Sequence, residues 1–316
     1  MGDGKDAHYA LVVKAIAEGR VVPFLGAGAG LCGRPAQSTF KPGRCLPTGA
    51  ELTDYLAENY PKGEPRDLLR VAQFVYVMEG SGPLYDRLHH VFDANYPVTD
   101  LHALLASIPG RLAGKGYPSP HLLVMTTNYD DLLERAFASA GEPYDLLWYV
   151  ADGDNRGKFR HRRPDGTTVV IDTPNEYSAL SLQDRSVVLK IHGAVNRANP
   201  EDDSYVIAED HYIDYLTRTD IAGLIPVTLA AKIRKSHFLF MGYSLADWNM
   251  RVILQRIWGA QQLTYRSWAI QRDPHELDVE FWRKRGVEIL EADLDEYVAA
   301  LRTRLDALPA QGESGG

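Results

Sequence analysis

The sequence predicts an α/β protein built on a doubly wound, mostly parallel sheet. Three observations carry this. First, short apolar runs recur along the chain, at Val21–Leu25, Leu122–Met125, Val187–Ile191 and His237–Met241. Strands covered on both faces read this way, whereas a strand with one wet face alternates. Second, stretches with helical spacing separate the runs, as expected where parallel strands are joined by helices. Third, each run ends in glycine or small polar residues: Gly26–Gly30, Thr126–Asp130, His192–Gly193 and Gly242–Ser244. In such a sheet the strand C-termini form one rim, and ligands bind there.

Composition sets the outer bounds. The chain has 316 residues, enough for one large domain or two smaller ones. It is 45% hydrophobic and 24% charged, which is ordinary for a globular protein. A formal charge of −8 argues against a general nucleic-acid binder but leaves room for a local basic patch. The two cysteines, Cys32 and Cys45, form no Cys-x-x-Cys. They cannot build a four-cysteine zinc ribbon and give no disulfide framework, so no metal is expected. The start, Met1-Gly-Asp-Gly-Lys-Asp6, has no apolar signal region, and no stretch approaches a membrane span. A cytoplasmic protein without membrane contact is the expectation.

In chain order, residues 8–19 carry Leu11, Val13 and Ile16 and end at Gly19, a short amphipathic helix stopped by glycine. The run Val21-Val-Pro-Phe-Leu-Gly-Ala-Gly-Ala-Gly30 is a buried strand entering a glycine turn. Glycines there let the backbone turn sharply and approach a ligand, and a helix after the turn would present N–H groups to a pyrophosphate. Gly26 and Gly28 fit the first two places of a Gly-x-Gly-x-x-Gly fingerprint, but Leu31 takes the third, so an ordinary tight turn is an equal reading. Residues 31–47 are a Gly/Pro/Ser-rich loop. Thr48-Gly-Ala-Glu51 is a capping box. Glu51 also lies where a ribose-binding acid could sit, though capping is the simpler role. Stripes at Leu68–Tyr76, Leu84–Val91 and Leu101–Ile108 predict a helical insertion over about 48–118, forming a lobe over the cleft.

The sheet resumes at Leu122. A helix comes next with Leu132, Leu133, Ala136 and Phe137 on one face, then a strand at 145–150. Residues 151–170 hold a basic hairpin with Arg160-His-Arg-Arg163, either a solvated loop or a contact for an acidic partner or nucleic acid. Beyond the strand at 187–191 come helical spacing at 209–235 and the strand at 237–241. Asp247 can cap a helix carrying Met250, Ile253, Leu254 and Ile257. Late strands at 267–270 and 287–290 precede a final helix near 295–307 and a disordered tail at 309–316. One catalytic domain over 8–307 is the expected organisation.

A dinucleotide such as NAD along this rim would be open to cleavage between C1′ of its ribose and nicotinamide. That leaving group departs neutral, and the transition state resembles an oxocarbenium ion. Such a site needs hydrogen bonds to ribose hydroxyls and a positioned nucleophile more than an acid. Asn128 can orient water or a ribose hydroxyl. Asp130 can bond ribose or favour the cation. His192 titrates near neutral pH and can serve as base. Each also has a plain role: Asn128 and Asp130 as helix caps, His192 and Ser244 in turns, Asp247 as a cap.

The chain resembles the sirtuin-like superfamily, in particular its bacterial branch of NAD-consuming anti-phage defence proteins. The matching pieces are Phe24-Leu-Gly-Ala-Gly-Ala29, Thr126-Thr-Asn-Tyr-Asp-Asp-Leu-Leu-Glu134, Lys190-Ile-His-Gly193, Ile207-Ala-Glu-Asp-His-Tyr212 and Gly242-Tyr-Ser-Leu-Ala-Asp247. The resemblance implies a Rossmann-type domain with NAD as substrate. It gives catalysis to Asn128 and His192, ribose support to Asp130, and NAD contacts to Gly26, Ala27, Gly28, Thr127, Gly242 and Ser244. Many relatives carry Ser where this chain has Gly30, so a hydroxyl contact is lost. The missing zinc module shifts weight from protein deacylation to hydrolysis by water. The activity implied is an NAD glycohydrolase that releases nicotinamide and ADP-ribose in abortive infection. A deacylase, or a sensor that binds NAD or ADP-ribose without turnover, are the alternatives. The resemblance also implies control by assembly: a homo-oligomer, or a separate activator such as a HerA-like ATPase or an Argonaute-like partner, with any nucleic-acid contact indirect. The chain leaves no room for a large sensor domain of its own, which points to a separate trigger.

Overall fold

The computed structural model describes residues 2–217, 221–244, 254, 257 and 265–311. Among them nine strands form one sheet: β1 (Val21–Leu25), β2 (Leu123–Thr126), β3 (Tyr144–Tyr149), β4 (Phe159–Arg162), β5 (Thr168–Ile171), β6 (Ser186–Lys190), β7 (His237–Met241), β8 (Ser267–Gln271) and β9 (Val287–Glu291). Their spatial order is β5-β4-β3-β6-β2-β1-β7-β8-β9. Pairing is parallel from β3 through β9 and antiparallel only in the β3-β4-β5 meander. The basic segment therefore forms an edge hairpin, whose Arg160 pairs with Asp202.

Among the described residues the helices are α1 (Gly2–Ala17), α2 (Gly49–Leu56), α3 (Leu68–Met78), α4 (Ser81–Phe92), α5 (Asp100–Ala113), α6 (Leu132–Ala140), α7 (Glu209–Thr217), α8 (Ile221–Leu224), α9 (Val227–Arg234), α10 (Glu276–Arg283) and α11 (Leu294–Asp306). Alternate residues of each strand point to opposite faces. Val21 and Leu25 join one core with α1, α5, α6 and α11, while Val22 and Phe24 join the other with α7, α9 and α10. The result is a three-layer α/β/α sandwich, with both faces of the central strands buried as their apolar runs required.

The helical stretch between β1 and β2 divides in two. Helices α2, α3 and α4 build a third core around Leu52, Val71, Val75, Leu84 and Leu88, which Leu132, Val195, Tyr205 and Ile207 also join. Helix α5 instead lays Leu101, Leu104, Leu105 and Ile108 on the sheet. The expected lobe is thus narrower than 48–118, since an apolar stripe shows that a helix packs but not against what. Helix α1 starts six residues before the expected position 8, and Tyr9 stacks on Tyr297 of α11 at 5.1 Å.

The expected disordered tail is corrected in part. Residues 309–311 are tied down, with the Gln311 N–H donating to the Lys115 carbonyl at 2.7 Å and the Tyr117 hydroxyl to the Pro309 carbonyl at 3.2 Å. Backbone hydrogen bonds here do not depend on side-chain composition, so a polar tail sequence conceals them. Residues 312–316 lie outside the described residues, as does the Asp247 cap with Met250 and Ile253. Leu254 and Ile257 sit in the second core. Among the described residues no helix is long and apolar enough to cross a membrane, and no group of three or more His, Cys, Asp or Glu could hold a metal ion.

Candidate active site

The register brings the rim together. Leu25 pairs with Thr126 on one side and Met241 on the other, and Thr126 pairs with Lys190. The four C-terminal turns therefore leave the sheet side by side. The chain runs outward from β1 to β2, then returns across β1 to β7. This change of direction is the place where a doubly wound sheet opens a crevice.

At that point the glycine turn is packed backbone against backbone. The Gly26 N–H donates to the Met241 carbonyl at 3.0 Å and the Gly28 N–H to the Gly242 carbonyl at 2.9 Å. A Cβ on Gly26 would lie 2.7 Å from the Gly242 oxygen, and one on Gly28 would lie 2.9 Å from Gly242 Cα. Gly242 itself has φ +74°, where L side chains are strained. The turn leads into a 3-10 helix, Ala27–Leu31, in which the Ala29 N–H donates to the Gly26 carbonyl at 2.9 Å. The expected array of free N–H groups is therefore corrected: those of Gly26, Gly28 and Ala29 bond within the protein, because a 3-10 turn and β7 capture them.

The turn after β2 is joined to this packing. Asn128 Nδ2 donates to the Gly26 carbonyl at 3.0 Å, and the Asn128 N–H donates to Thr126 Oγ1 at 2.9 Å. Thr127 Oγ1 bonds the Tyr243 hydroxyl. Asp130 is buried, and its Oδ1 accepts from the Leu132 N–H at 3.1 Å; it stands one residue ahead of Asp131, the N-cap of α6. Burial raises its pKa, and Lys190 opposes the rise.

His192 lies two residues beyond β6. Gly193 has φ +97°, and a Cβ there would overlap the Ser204 backbone. The segment after it pairs with 204–206, the Val206 N–H donating to the His192 carbonyl at 2.8 Å. The imidazole is 3% exposed, edge-on to Tyr212 and Tyr215 at 5.4 and 5.3 Å, and its Nε2 has no hydrogen-bond partner among the described residues. Burial pushes its pKa down to about 3. The expectation of titration near neutrality is thereby corrected: a charged imidazole is too poorly solvated here, and the ring stays neutral.

A cleft of about 840 Å³ opens beside the turn, within the usual size range of small-molecule sites, roughly 300–1,000 Å³. Gly28, Gly242 and Ser244 line it, together with Arg34, Glu51 and Asp295. Asn128, Asp130 and His192 do not. Asn128 bonds Gly26, two residues before the cleft-lining Gly28, whereas His192 stands apart in its tyrosine-walled pocket. Gly30 faces a neighbouring cavity of about 470 Å³ rather than the cleft.

Two features carry less sequence signal. Glu51 has its capping role, but it also accepts two bonds from Arg34, at 2.6 and 2.8 Å, which hold its carboxyl down to about 2. Below the rim, the buried Lys190 ammonium pairs with Glu134 at 2.6 Å. The signal for the second pair is present in the sequence: a lysine closing an apolar strand, and a glutamate inside an apolar helix face.

A doubly wound sheet with a glycine turn at its switch point, and polar turns converging on it, defines a Rossmann-type α/β protein. The SIR2-like domain family matches residues 122–290, more than half of the chain, and the chain belongs to that family. The match takes in Asn128, His192 and Gly242, while the glycine turn precedes it. Defense-associated sirtuin 2 of Bacillus subtilis is 23% identical over 304 residues, 90% of this chain and 25% of that protein. The NAD(+) hydrolase ThsA of Acinetobacter baumannii is 28% identical over 248 residues, 78% of this chain and 41% of that protein. ThsA of Bacillus cereus is 24% identical over 243 residues, 73% and 41% of the two chains. The chain thus spans between a quarter and about two-fifths of the length of these relatives.

Proposed function

We propose that this protein is an NAD glycohydrolase, cleaving NAD to nicotinamide and ADP-ribose in a bacterial defence response. The observation that carries the reading is the bond from Asn128 to the Gly26 carbonyl, which fixes a carboxamide against the glycine turn at the sheet's switch point. The relatives named NAD(+) hydrolase and defense-associated sirtuin support it. In this reading Gly26, Ala27, Gly28, Thr127, Gly242 and Ser244 hold the dinucleotide, with its adenosine end toward the 840 Å³ cleft. Asn128 orients water or a ribose hydroxyl. Asp130 supports the ribose side through the turn it braces with its bond to the Leu132 N–H.

In the reaction a water oxygen bonds to C1′ as the C1′–nitrogen bond breaks. The bonding pair leaves with nicotinamide, and the water loses one proton. The oxocarbenium-like transition state asks little of a base. That suits His192, whose neutral ring offers a hydrogen bond to a hydroxyl or to water. Control by assembly, as a homo-oligomer or with a separate protein such as a HerA-like ATPase or an Argonaute-like partner, completes the proposal, because unrestrained NAD loss would harm the host cell.

The test is nicotinamide release from NAD by the purified protein, alone and with the products of neighbouring genes. Release that falls at least 100-fold in Asn128→Ala is expected, since positioned polar groups of this kind contribute about 10²–10³ in rate. Absence of nicotinamide in every assembly state, or full activity in Asn128→Ala, refutes it. Tight NAD binding without turnover would make the protein a sensor instead.

A further inference from the structure

We infer that Lys190 is a positioning residue: its ammonium, with Glu134 as counter-charge, clamps from below the turn that carries Asn128 and Asp130. Lys190 closes β6 and is 1% exposed. Its register partners are Thr126 of β2 and Trp148 of β3, so its Nζ rises beneath the turn after β2. There it donates to the Asp130 carbonyl, reaches the Tyr129 carbonyl at 3.4 Å and pairs with Glu134 Oε1 at 2.6 Å. Glu134 stands on the first turn of α6, and its other oxygen is buried without a hydrogen-bond partner among the described residues. One ammonium thus links the strand before His192, the turn bearing Asn128 and the first turn of α6.

The arrangement is costly if it serves stability alone. Withdrawing two charges from water loses more than their attraction returns unless geometry is held tightly, and apolar replacements of both partners are often no less stable. A lysine also supplies several donors from one point, so it can hold two carbonyls and a carboxylate together. An apolar pair would fill the same space but leave the Asp130 carbonyl without this donor, and the turn would be free to shift. Misplacement of a reacting group by about 1 Å can cost on the order of 100-fold in rate.

The inference rests on the hydrolase reading only for its effect on rate, so the experiment has two arms. Both use the full chain and the double variant Lys190→Met/Glu134→Leu, which leaves no lone buried charge; the single variant Lys190→Met serves as comparison. In the first arm, amide hydrogen exchange is measured at Asn128, Leu132 and Val195, whose N–H groups bond to Thr126 Oγ1, Asp130 Oδ1 and the Tyr129 carbonyl. Exchange at these amides at least tenfold faster than in the wild type, with β1 and β7 amides unchanged and the melting temperature kept, is expected. In the second arm, NAD turnover is expected to lose at least tenfold in kcat with KM within twofold. Unchanged exchange at the three amides in a folded double variant overturns the clamp, whatever the activity. A folded double variant with loosened amides and full kcat overturns the positioning role. A wild type that turns over no NAD in any assembly state sinks the hydrolase reading and leaves the exchange arm to decide the clamp.

Discussion

Gly242→Ala tests whether the backbone packing between the glycine turn and β7 is as tight as its distances imply. Three terms add. A left-handed φ costs an alanine about 1–2 kcal/mol. The new Cβ would overlap the Ala29 nitrogen and stand 2.7 Å from Gly28 C, both backbone atoms that move only with the whole turn. Forced overpacking of this kind costs about 1–3 kcal/mol. The shift would also stretch the bond from the Gly28 N–H to the Gly242 carbonyl, worth about 1 kcal/mol. The sum is roughly 3–6 kcal/mol. At about 2.1 cal/mol/K of unfolding entropy per residue, a chain of 316 residues shifts by about 1.5 °C per kcal/mol, so the melting temperature should fall by roughly 5–9 °C. Gly141→Ala is the internal control. Gly141 ends α6 with φ +69°, and a Cβ there meets nothing within 4 Å, so only the left-handed strain remains. Scanning calorimetry of both variants separates strain from steric overlap. A Gly242→Ala protein that melts no lower than Gly141→Ala would refute the packing argument.

The site gives three further expected outcomes. His192 has a folded-state pKa depressed to about 3, so its contribution to stability is complete above about pH 6.5 and declines as pH falls. Between pH 7.5 and 5 it amounts to about 2 kcal/mol, a loss in urea unfolding that His192→Gln should lack, and the NAD rate profile should show no limb near pH 6.5. Glu51 is likewise depressed, to about 2, by Arg34. Its stabilisation is full above about pH 4.5 and lost toward pH 2, so Glu51→Gln should flatten the decline in melting temperature between pH 5 and 3. Gly30→Ser would set its Cβ 2.7 Å from Leu46 Cδ1, the end of a side chain that can rotate. A stability change within about 1 kcal/mol is expected by denaturant titration.

Much of the frame can be read from the apolar runs, because strands buried on both faces must be apolar and must end where the chain turns. Val21–Leu25 and His237–Met241 are placed correctly by that rule alone. The rim comes from the sheet's topology, so Gly26, Asn128 and Gly242 could be grouped before any distance was known. Other features depend on partners far away in sequence. Helix α5 has the same kind of apolar stripe as α3, and only the fold decides that one meets the sheet and the other the lobe. The low pKa of His192 comes from burial beside Tyr212 and Tyr215, which no local pattern around His192 announces. The Thr48–Glu51 capping box is local and legible, but the Arg34 that grips Glu51 arrives from an irregular loop.

Hydrolysis requires that water, not an acyl group or another acceptor, takes the ADP-ribosyl unit. Turnover of NAD in water enriched in heavy oxygen, with the product read by mass spectrometry, decides this. ADP-ribose carrying one heavy oxygen at C1′, in amounts equal to the nicotinamide released, is the expected product. ADP-ribosyl product without heavy oxygen, or an O-acyl-ADP-ribose formed when an acyl-lysine peptide is supplied, would overturn the hydrolase reading.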